Sequence, residues 1–223
     1  MNNRVVVITG ATGITGQAAA RAFAQQGASL ALLSSDQKKL DALSHDLNLS
    51  PDRILTYSGN LLDEQAVRDA AEAVSVKFGR VDALIHLVGG WTGGKLIAES
   101  DADDFRFMLD QHAWTTIHLL RVFSSKLIEN GWGRVIAVTS PLATNPSAKM
   151  GAYAVGKAAQ ETLLMTFADQ VAGTGVTANV IQVKAIDVKG SGKGTTPDEI
   201  VSAMLYLFSN EAGKLNGTRI PLY

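Results

Sequence analysis

Short apolar runs alternate with amphipathic stretches along the whole chain. The apolar runs are rich in β-branched residues and occupy residues 5–8, 30–33, 54–57, 83–88, 135–138, 176–183 and 218–222. The stretches between them have helical periodicity and length, at residues 17–26, 37–47, 64–78, 103–129, 153–171 and 197–209. Continuous apolar runs are typical of strands buried on both faces, and strict alternation with helices favours a parallel sheet. The sequence therefore predicts an α/β fold, a doubly wound seven-stranded parallel sheet with helices on both faces.

The size and hydrophobicity of the chain suit one domain. With 223 residues, 46% of them hydrophobic, the chain can bury a large core, and no linker or internal repeat divides it. We therefore expect a single domain over residues 1–223. The apolar start of the chain is too short for a signal peptide and no run is long enough to cross a bilayer, so we expect a cytoplasmic protein without a membrane partner.

Charge and residue usage argue against nucleic acid and metal. The 20 basic and 21 acidic residues nearly cancel, and no block of Lys and Arg could bind a phosphate backbone. There is no cysteine to supply disulfides or thiolate ligands, and the four histidines lack metal-ligand spacing with carboxylates. We expect chemistry that is metal-free or uses an organic cofactor.

A glycine-rich turn follows the first predicted strand and leads directly into a helix. Its sequence, Thr-Gly-Ala-Thr-Gly-Ile-Thr-Gly, covers residues 9–16. Gly10 permits a tight turn, Gly13 lets backbone approach a pyrophosphate, and Gly16 allows the helix to pack closely on the strand. The helix N-terminus adds free N–H groups and partial positive charge. The pattern predicts a dinucleotide site, with an ordinary tight turn as the alternative. Its expected contacts are Gly10, Thr12, Gly13 and Ile14.

Tyr153 and Lys157 lie four residues apart, so on a helix they share one face. A free tyrosine titrates near pH 10, and a neighbouring cation moves it toward the range in which it exchanges a proton at neutral pH. Ser140 ends the fifth predicted strand, at the sheet edge where open α/β proteins bind ligands. These residues predict an acid–base site. The alternatives are an ordinary surface pair for Tyr153 and Lys157, and a loop-capping hydroxyl for Ser140.

The glycine turn, the spacing from Ser140 to Tyr153 and the Tyr-x-x-x-Lys motif together resemble the short-chain dehydrogenases/reductases. The resemblance covers the whole chain, including the tail segment at residues 211–217. It implies a Rossmann-fold, NAD(P)-dependent oxidoreductase that transfers a hydride between nicotinamide and a small carbonyl or alcohol substrate. It also implies that Tyr153 exchanges the proton, that Lys157 lowers the pKa of Tyr153 and holds the nicotinamide ribose, and that Ser140 orients the substrate.

Several positions depart from the family pattern. Residues 87–90, Leu-Val-Gly-Gly, stand where the family has Asn-Asn-Ala-Gly, so the asparagine bonds are lost while backbone can still approach the cofactor. His112 replaces an asparagine of the family's proton relay, either as a substitute proton carrier or as a structural residue. Asn60 replaces an aspartate that touches adenine. Val188 replaces a threonine that bonds the nicotinamide amide, which leaves that role to backbone around Ile186.

The shortened substrate lid is a further departure. Residues 189–194, Lys-Gly-Ser-Gly-Lys-Gly, predict a flexible surface loop. The site would then be open or completed by a partner subunit.

The end of the second strand bears on the choice of cofactor. Ser34 and Ser35 stand where an acid would bond the adenosine ribose and repel a 2′-phosphate, and Lys38 or Lys39 can approach that phosphate. NADP is therefore the expected cofactor. NAD stays an alternative because Asp36 follows the serines. The other expected cofactor contacts are Asn60, Leu61, Val88, Gly89, Gly90 and Ile186.

Two further hypotheses about function stay open. Residues 88–94 with Trp114-Thr115 resemble dihydropteridine reductase, of the same superfamily, and Trp91 could stack on a pterin or quinone-like ring or merely plug the sheet edge. A non-catalytic dinucleotide-binding protein is the alternative of another class.

Two predicted helices bear on the oligomeric state. Residues 103–129 and 153–171 are too apolar to face water on both sides, and in the family such helices pair across a two-fold axis. We therefore expect a homodimer or homotetramer.

Overall fold

The computed structural model describes residues 4–223, which contain one seven-stranded sheet. The strands lie in the order β3-β2-β1-β4-β5-β6-β7, and every neighbouring pair is parallel. The strands are β1 (Val5–Thr9), β2 (Ser29–Ser34), β3 (Ile54–Ser58), β4 (Ala83–His86), β5 (Gly133–Thr139), β6 (Val176–Gln182) and β7 (Arg219–Pro221). The predicted doubly wound parallel sheet is confirmed.

Helices cover both faces of this sheet. They are α1 (Ile14–Gln25), α2 (Gln37–Leu47), α3 (Glu64–Phe78), α4 (Ala102–Leu109), α5 (Thr115–Glu129), α6 (Gly151–Gln170) and α7 (Pro197–Phe208). None of the helices between residues 4 and 223 is long and apolar enough to cross a membrane.

One predicted helix contains a π-helical segment. The helix expected over residues 103–129 is present as α4 and α5, which are joined without a break by the π-helical segment Asp110–Trp114. The residues at both ends of this segment, Asp110 and Trp114, have right-handed helical backbone angles, so hydrophobic periodicity does not reveal the wider turn. Single π turns are frequent at functional sites.

Two hydrophobic cores explain why the strands are apolar throughout. In β1, Val5 and Val7 face one core, with α3, α5 and α6, while Val6 and Ile8 face the other, with α1, α2 and α7. Successive strand residues point to opposite faces, so a sheet covered on both sides needs an apolar residue at every position. Each fully buried large side chain contributes about 1.5–3 kcal/mol.

The strands end where the site begins. β4 stops at His86, two residues short of the predicted run. The last hydrogen bond between the chain of β4 and β1 is donated by Leu87 N to Thr9 O at 3.2 Å. β6 stops at Gln182 and β7 spans only residues 219–221, so their runs were also predicted too long. The chain leaving β4 and β6 is therefore free to form the walls of a cleft at the carboxyl edge of the sheet.

The glycine-rich loop after β6 is ordered around one carboxylate. Asp187 is 7% exposed and accepts hydrogen bonds from Lys189 N, Ser191 Oγ and Gly192 N at 3.2, 3.1 and 2.7 Å. These bonds lower the pKa of Asp187, because they favour its charged form. The loop lies on the surface as predicted, but its backbone and Ser191 bond to the buried carboxylate of Asp187. The glycine content of the loop does not indicate this arrangement.

Candidate active site

A cavity of about 560 Å³ opens at the carboxyl edge of the sheet, among the ends of β4, β5 and β6 and the start of α6. It brings together most of the residues predicted for catalysis and for the nicotinamide side of a cofactor. Its lining includes Val88, Gly89, Gly90, Trp91, His112, Tyr153, Lys157 and Ile186. Ligands of open α/β proteins bind at this edge, where the strand order reverses between β1 and β4.

A second, smaller cavity adjoins the first. It has a volume of about 140 Å³ and shares Val88 with the larger one. Its lining contains the predicted adenosine-side residues Ser34, Ser35, Asn60 and Leu61. The two cavities together form a cleft that fits an elongated ligand with two ring systems.

The glycine turn lies beneath this cleft. Gly10 has φ +67°, and a Cβ there would lie 2.9 Å from the backbone of Leu87, so the position requires glycine. Gly13 is the N-cap of α1, and in the described part of the chain no side chain caps this helix and no acid occupies its first turn. The N–H groups at the start of α1 are thus available to an anionic ligand.

Ser34 and Asp36, at the end of β2 and just beyond it, both bond to neighbouring residues. The hydroxyls of Thr12 and Ser34 lie 2.7 Å apart, which fixes Ser34 beside the glycine turn. Asp36 caps α2, accepting from Lys39 N at 3.1 Å, and its carboxylate lies 3.3 Å from Lys39 Nζ. These bonds to the backbone and side chain of Lys39 lower the pKa of Asp36. The carboxylate of Asp36 is thus engaged by its own helix.

Ser140 lies beside Tyr153, and Tyr153 lines the large cavity. Burial raises the pKa of Tyr153, and hydrogen bonding by the neighbouring Ser140 hydroxyl acts in the opposite direction. Ser140, which follows β5 and is 1% exposed, accepts from Leu142 N at 3.3 Å. Because this bond uses a lone pair of the oxygen, the hydroxyl proton remains available to a second acceptor.

Lys157 is a buried cation one helical turn beyond Tyr153. It is 6% exposed, its Nζ lies 6.0 Å from the centre of the Tyr153 ring, and it donates to Val138 O and Gln160 Oε1, both at 3.0 Å. Burial lowers the pKa of Lys157 to about 7. An ammonium has three donors, so one remains for a ligand in the cleft.

His112 projects from the π-helical segment into the same wall. Its ring lies edge-on to Tyr153, with centroids 5.9 Å apart, and its Nε2 is 3.0 Å from Gly90 O. A carbonyl only accepts, so Nε2 carries the proton, and Nδ1 is left as an acceptor, buried and without a partner among residues 4–223. Burial, with a smaller contribution from Lys157, lowers the pKa of His112 to about 3. Of the two roles expected for His112, this argues against the proton carrier and favours the structural residue.

The surroundings of His112 explain how the π turn is held. The hydroxyls of Thr115 and Thr116 donate to Gln111 O and His112 O at 2.8 and 2.6 Å, which satisfies carbonyls left by the irregular turn. A Cβ at Gly89 would lie 2.7 Å from His112 Cε1. The glycine that replaces alanine in the family pattern therefore makes room for the imidazole.

Several residues of this region were not predicted. His86, buried at the end of β4, lies 2.8 Å through Nδ1 from Thr9 Oγ1, and burial lowers its pKa to about 3. Gln160 and Glu161 follow Lys157 on α6, both buried. The sequence did contain a signal for Glu161, because its position four residues beyond Lys157 puts both side chains on one face of a helix.

The rim of the large cavity is apolar and open. Trp91 and Ile186 line it and are 63% and 41% exposed. A further cavity of about 750 Å³ lies between the Asp187 loop, α7 and the chain end, and includes Lys184 but neither Tyr153 nor Lys157. The convergent ionisable groups therefore single out the cavity at Tyr153 as the candidate active site.

A parallel sheet with a glycine turn after β1, and with a serine, a tyrosine and a lysine at its carboxyl edge, defines a class of dinucleotide-binding oxidoreductases. Residues 4–197 match the family model described as short chain dehydrogenase. The chain belongs to this family, the short-chain dehydrogenases/reductases, and is an oxidoreductase of the NAD(P)-binding type.

Individual relatives are distant but extend over nearly the whole chain. An uncharacterized oxidoreductase of Staphylococcus epidermidis is 25% identical, over 92% of this chain and 91% of its own. The 3-oxoacyl-(acyl-carrier-protein) reductase of Thermotoga maritima is 22% identical, over 97% and 95%.

Solved structures share the fold. A putative short chain dehydrogenase from Pseudomonas syringae has a TM-score of 0.90 and 28% identity, covering 99% of this chain and 95% of its own. NAD⁺-bound xylitol dehydrogenase has a TM-score of 0.92 and 21% identity, covering 99% and 98%. An NADPH-bound short chain oxidoreductase from Pseudomonas aeruginosa, described as having an atypical catalytic center, has a TM-score of 0.91 and 23% identity, covering 98% and 95%.

Proposed function

We propose that the protein transfers a hydride between a nicotinamide cofactor and a small carbonyl or alcohol substrate, with Tyr153 as the acid or base. The observation that carries this proposal is the pairing of Tyr153 and Lys157 in the wall of the cleft, with the Ser140 hydroxyl beside Tyr153. A binding protein without turnover would have no need of all three. The experiment is a survey of carbonyl and alcohol substrates with NADPH and NADH, comparing wild type with Tyr153→Phe.

The described residues fit a dinucleotide along the whole cleft. The N-terminus of α1, with Gly10, Thr12, Gly13 and Ile14, would hold the diphosphate. The adenosine half would lie against Ser34, Ser35, Asn60 and Leu61, and the nicotinamide half against Val88, Gly89, Gly90, Tyr153, Lys157 and Ile186. When bound, the nicotinamide supplies or accepts the hydride.

The chain's own residues would manage the proton. Ser140 would donate its one hydroxyl proton to the substrate oxygen in place of Tyr153 Oη and so hold that oxygen beside Tyr153. Tyr153 gives its proton to this oxygen during reduction and takes it during oxidation. Lys157, held by Val138 O and Gln160 Oε1, stabilises the phenolate with its positive charge and offers its remaining N–H to the ribose.

We assign His112 a holding role in place of proton carriage. Through Nε2–H it fixes the carbonyl of Gly90, and through its ring edge it restricts Tyr153. Carriage of a proton as imidazolium would require a state that burial strongly disfavours at neutral pH.

NADP is the cofactor that we propose. Ser34 and Ser35 leave room for a 2′-phosphate, and the carboxylate of Asp36 is occupied by α2 and Lys39. A carboxylate that is capped and paired in this way has fewer lone pairs left for a ribose hydroxyl. NAD remains the alternative, since relatives of similar fold are described with either cofactor.

A planar substrate is the second candidate. Trp91 presents 63% of its surface at the mouth of the cavity, where an aromatic face can stack on a flat ring. A pterin or quinone-like compound would use this contact, whereas a small aliphatic ketone would not.

We also propose a homodimer or homotetramer. A groove of about 270 Å³ lies between α5 and α6 and is lined by Ile117, Leu120, Leu163 and Phe167 among others. A second copy of this apolar surface would cover it. Light scattering at micromolar concentration should give twice or four times the 23.6 kDa mass, and a monomer would contradict the proposal.

A further inference from the structure

Glu161 is a buried carboxylate that the proposed mechanism does not use. It is 1% exposed and follows Tyr153 and Lys157 at intervals of four residues on α6, so the three share one helix face. Its Oε1 accepts from Gln182 Nε2 at 2.9 Å and its Oε2 from Arg219 Nε at 2.6 Å. These bonds attach the buried carboxylate to the end of β6 and the start of β7.

Lys157, in contrast, has neutral partners. Its bonds go to a carbonyl and an amide oxygen, and within residues 4–223 it forms no ion pair. The other titratable groups near it are Tyr153 on α6, His86 on β4 and His112 on the π-helical segment, and burial keeps both histidines neutral. Glu161 is buried one helical turn beyond Lys157 on the same face of α6, and it is therefore the negative charge that acts on Lys157. It raises the pKa of Lys157 against the larger effect of burial.

We propose that Glu161 is a positioning residue that supplies the negative charge holding Lys157 in its ammonium form, and that Arg219 limits this effect by pairing with the same carboxylate. The proposal rests on the proposed function, because only there does the ammonium of Lys157 have a task. It predicts that neutralising Glu161 and neutralising Arg219 have opposite effects on Lys157.

The direct test is an NMR titration of the protein without cofactor, with ¹³C at lysine Cε. The Lys157 signal is the one that disappears in Lys157→Met, and its midpoint in wild type should lie near pH 7. Glu161→Gln should lower that midpoint by about one pH unit, and Arg219→Gln should raise it. Asp169→Asn, which removes an exposed carboxylate of the same helix, should leave it unchanged.

If the bonds of Glu161 were only structural, Glu161→Gln and Arg219→Gln would both change the stability of the protein. They would not shift the Lys157 midpoint in opposite directions. An unchanged midpoint in Glu161→Gln would overturn the proposal. If Glu161→Gln does not fold, Arg219→Gln still tests the proposal, because the Arg219 side chain is 42% exposed. A Lys157 midpoint that does not rise in Arg219→Gln would contradict the proposal. The upper pH limit of turnover should follow the same midpoints. Opposite midpoint shifts without any change in turnover would support the coupling and contradict the proposed role of Lys157.

Discussion

The ring of His112 donates from Nε2 to the carbonyl oxygen of Gly90 across 3.0 Å. This bond joins the π-helical segment to the chain leaving β4, which has no asparagine to hold it. The same ring occupies the space that a side chain at Gly89 would need, and it lies edge-on to Tyr153. Gly89 and His112 therefore form one arrangement, in which a neutral histidine fixes the wall of the cleft beside Tyr153.

Loss of the His112 donor should weaken cofactor binding. His112→Phe keeps a ring but leaves Gly90 O without its partner, and we expect the dissociation constant for NADPH to rise about fivefold, since one net hydrogen bond contributes about 1 kcal/mol. His112→Gln places an amide donor at similar reach and should stay within about threefold of wild type. Cofactor fluorescence measures both. Equal affinity of wild type and His112→Phe would exclude the holding role.

Acid should destabilise the fold through its buried histidines. Burial lowers the pKa of His86 and of His112 to about 3, so in the folded chain both stay neutral while the unfolded chain binds protons below about pH 6.5. Stability is then fully present above pH 6.5 and is lost as the pH falls toward 3. When the pH falls from 7 to 5, each of these two histidines should lower the free energy of unfolding by about 2 kcal/mol.

Urea unfolding of His112→Gln at these two pH values checks the sign. The variant should lose about 2 kcal/mol less than wild type on acidification. His45→Gln, at an exposed position of α2, serves as the control and should behave as wild type. The same pH dependence in all three proteins would show that His112 is protonated in the folded state.

Cofactor preference should depend on position 34. Ser34→Asp places a carboxylate beside Thr12, where it repels a 2′-phosphate, and the ratio of kcat/KM for NADPH to that for NADH should fall at least tenfold, or about 1.4 kcal/mol. Asp36→Asn should change the ratio little, because Asp36 is engaged by α2 and Lys39. A wild type that prefers NADH, and loses this preference in Asp36→Asn, would reverse our assignment.

The face of Trp91 offers a test of substrate class. If a planar pterin or quinone stacks there, Trp91→Ala should raise the KM for that compound by about two- to tenfold, matching roughly 0.5–1.5 kcal/mol of aromatic contact. Trp114→Ala removes another exposed tryptophan, which lies outside the lining of both cavities in the cleft. Aliphatic ketones and planar compounds that respond alike to Trp91→Ala would rule out the second candidate.

The sequence was informative about features that depend on residues close together in the chain. Strand–helix alternation predicted the sheet, and the position of Gly10 directly after β1 predicted its tight turn, because both signals lie within a few neighbouring residues. The spacing of Tyr153 and Lys157 placed them correctly on one face of α6.

Other features required the folded chain. The π turn at His112 depends on hydroxyls of Thr115 and Thr116 and on space at a glycine of another element, which periodicity does not encode. The burial that lowers the pKa of His112, and the bonds that order the loop around Asp187, likewise come from tertiary packing.

The central claim, that Tyr153 exchanges the proton during hydride transfer, is tested most directly by Tyr153→Phe. The variant keeps the ring that packs against His112 and removes the hydroxyl. On any substrate turned over by wild type, kcat should fall at least about a thousandfold, within the range of general acid–base catalysis, while the dissociation constant for NADPH changes less than about threefold. Near-normal kcat with unchanged cofactor affinity would contradict this account of the active site.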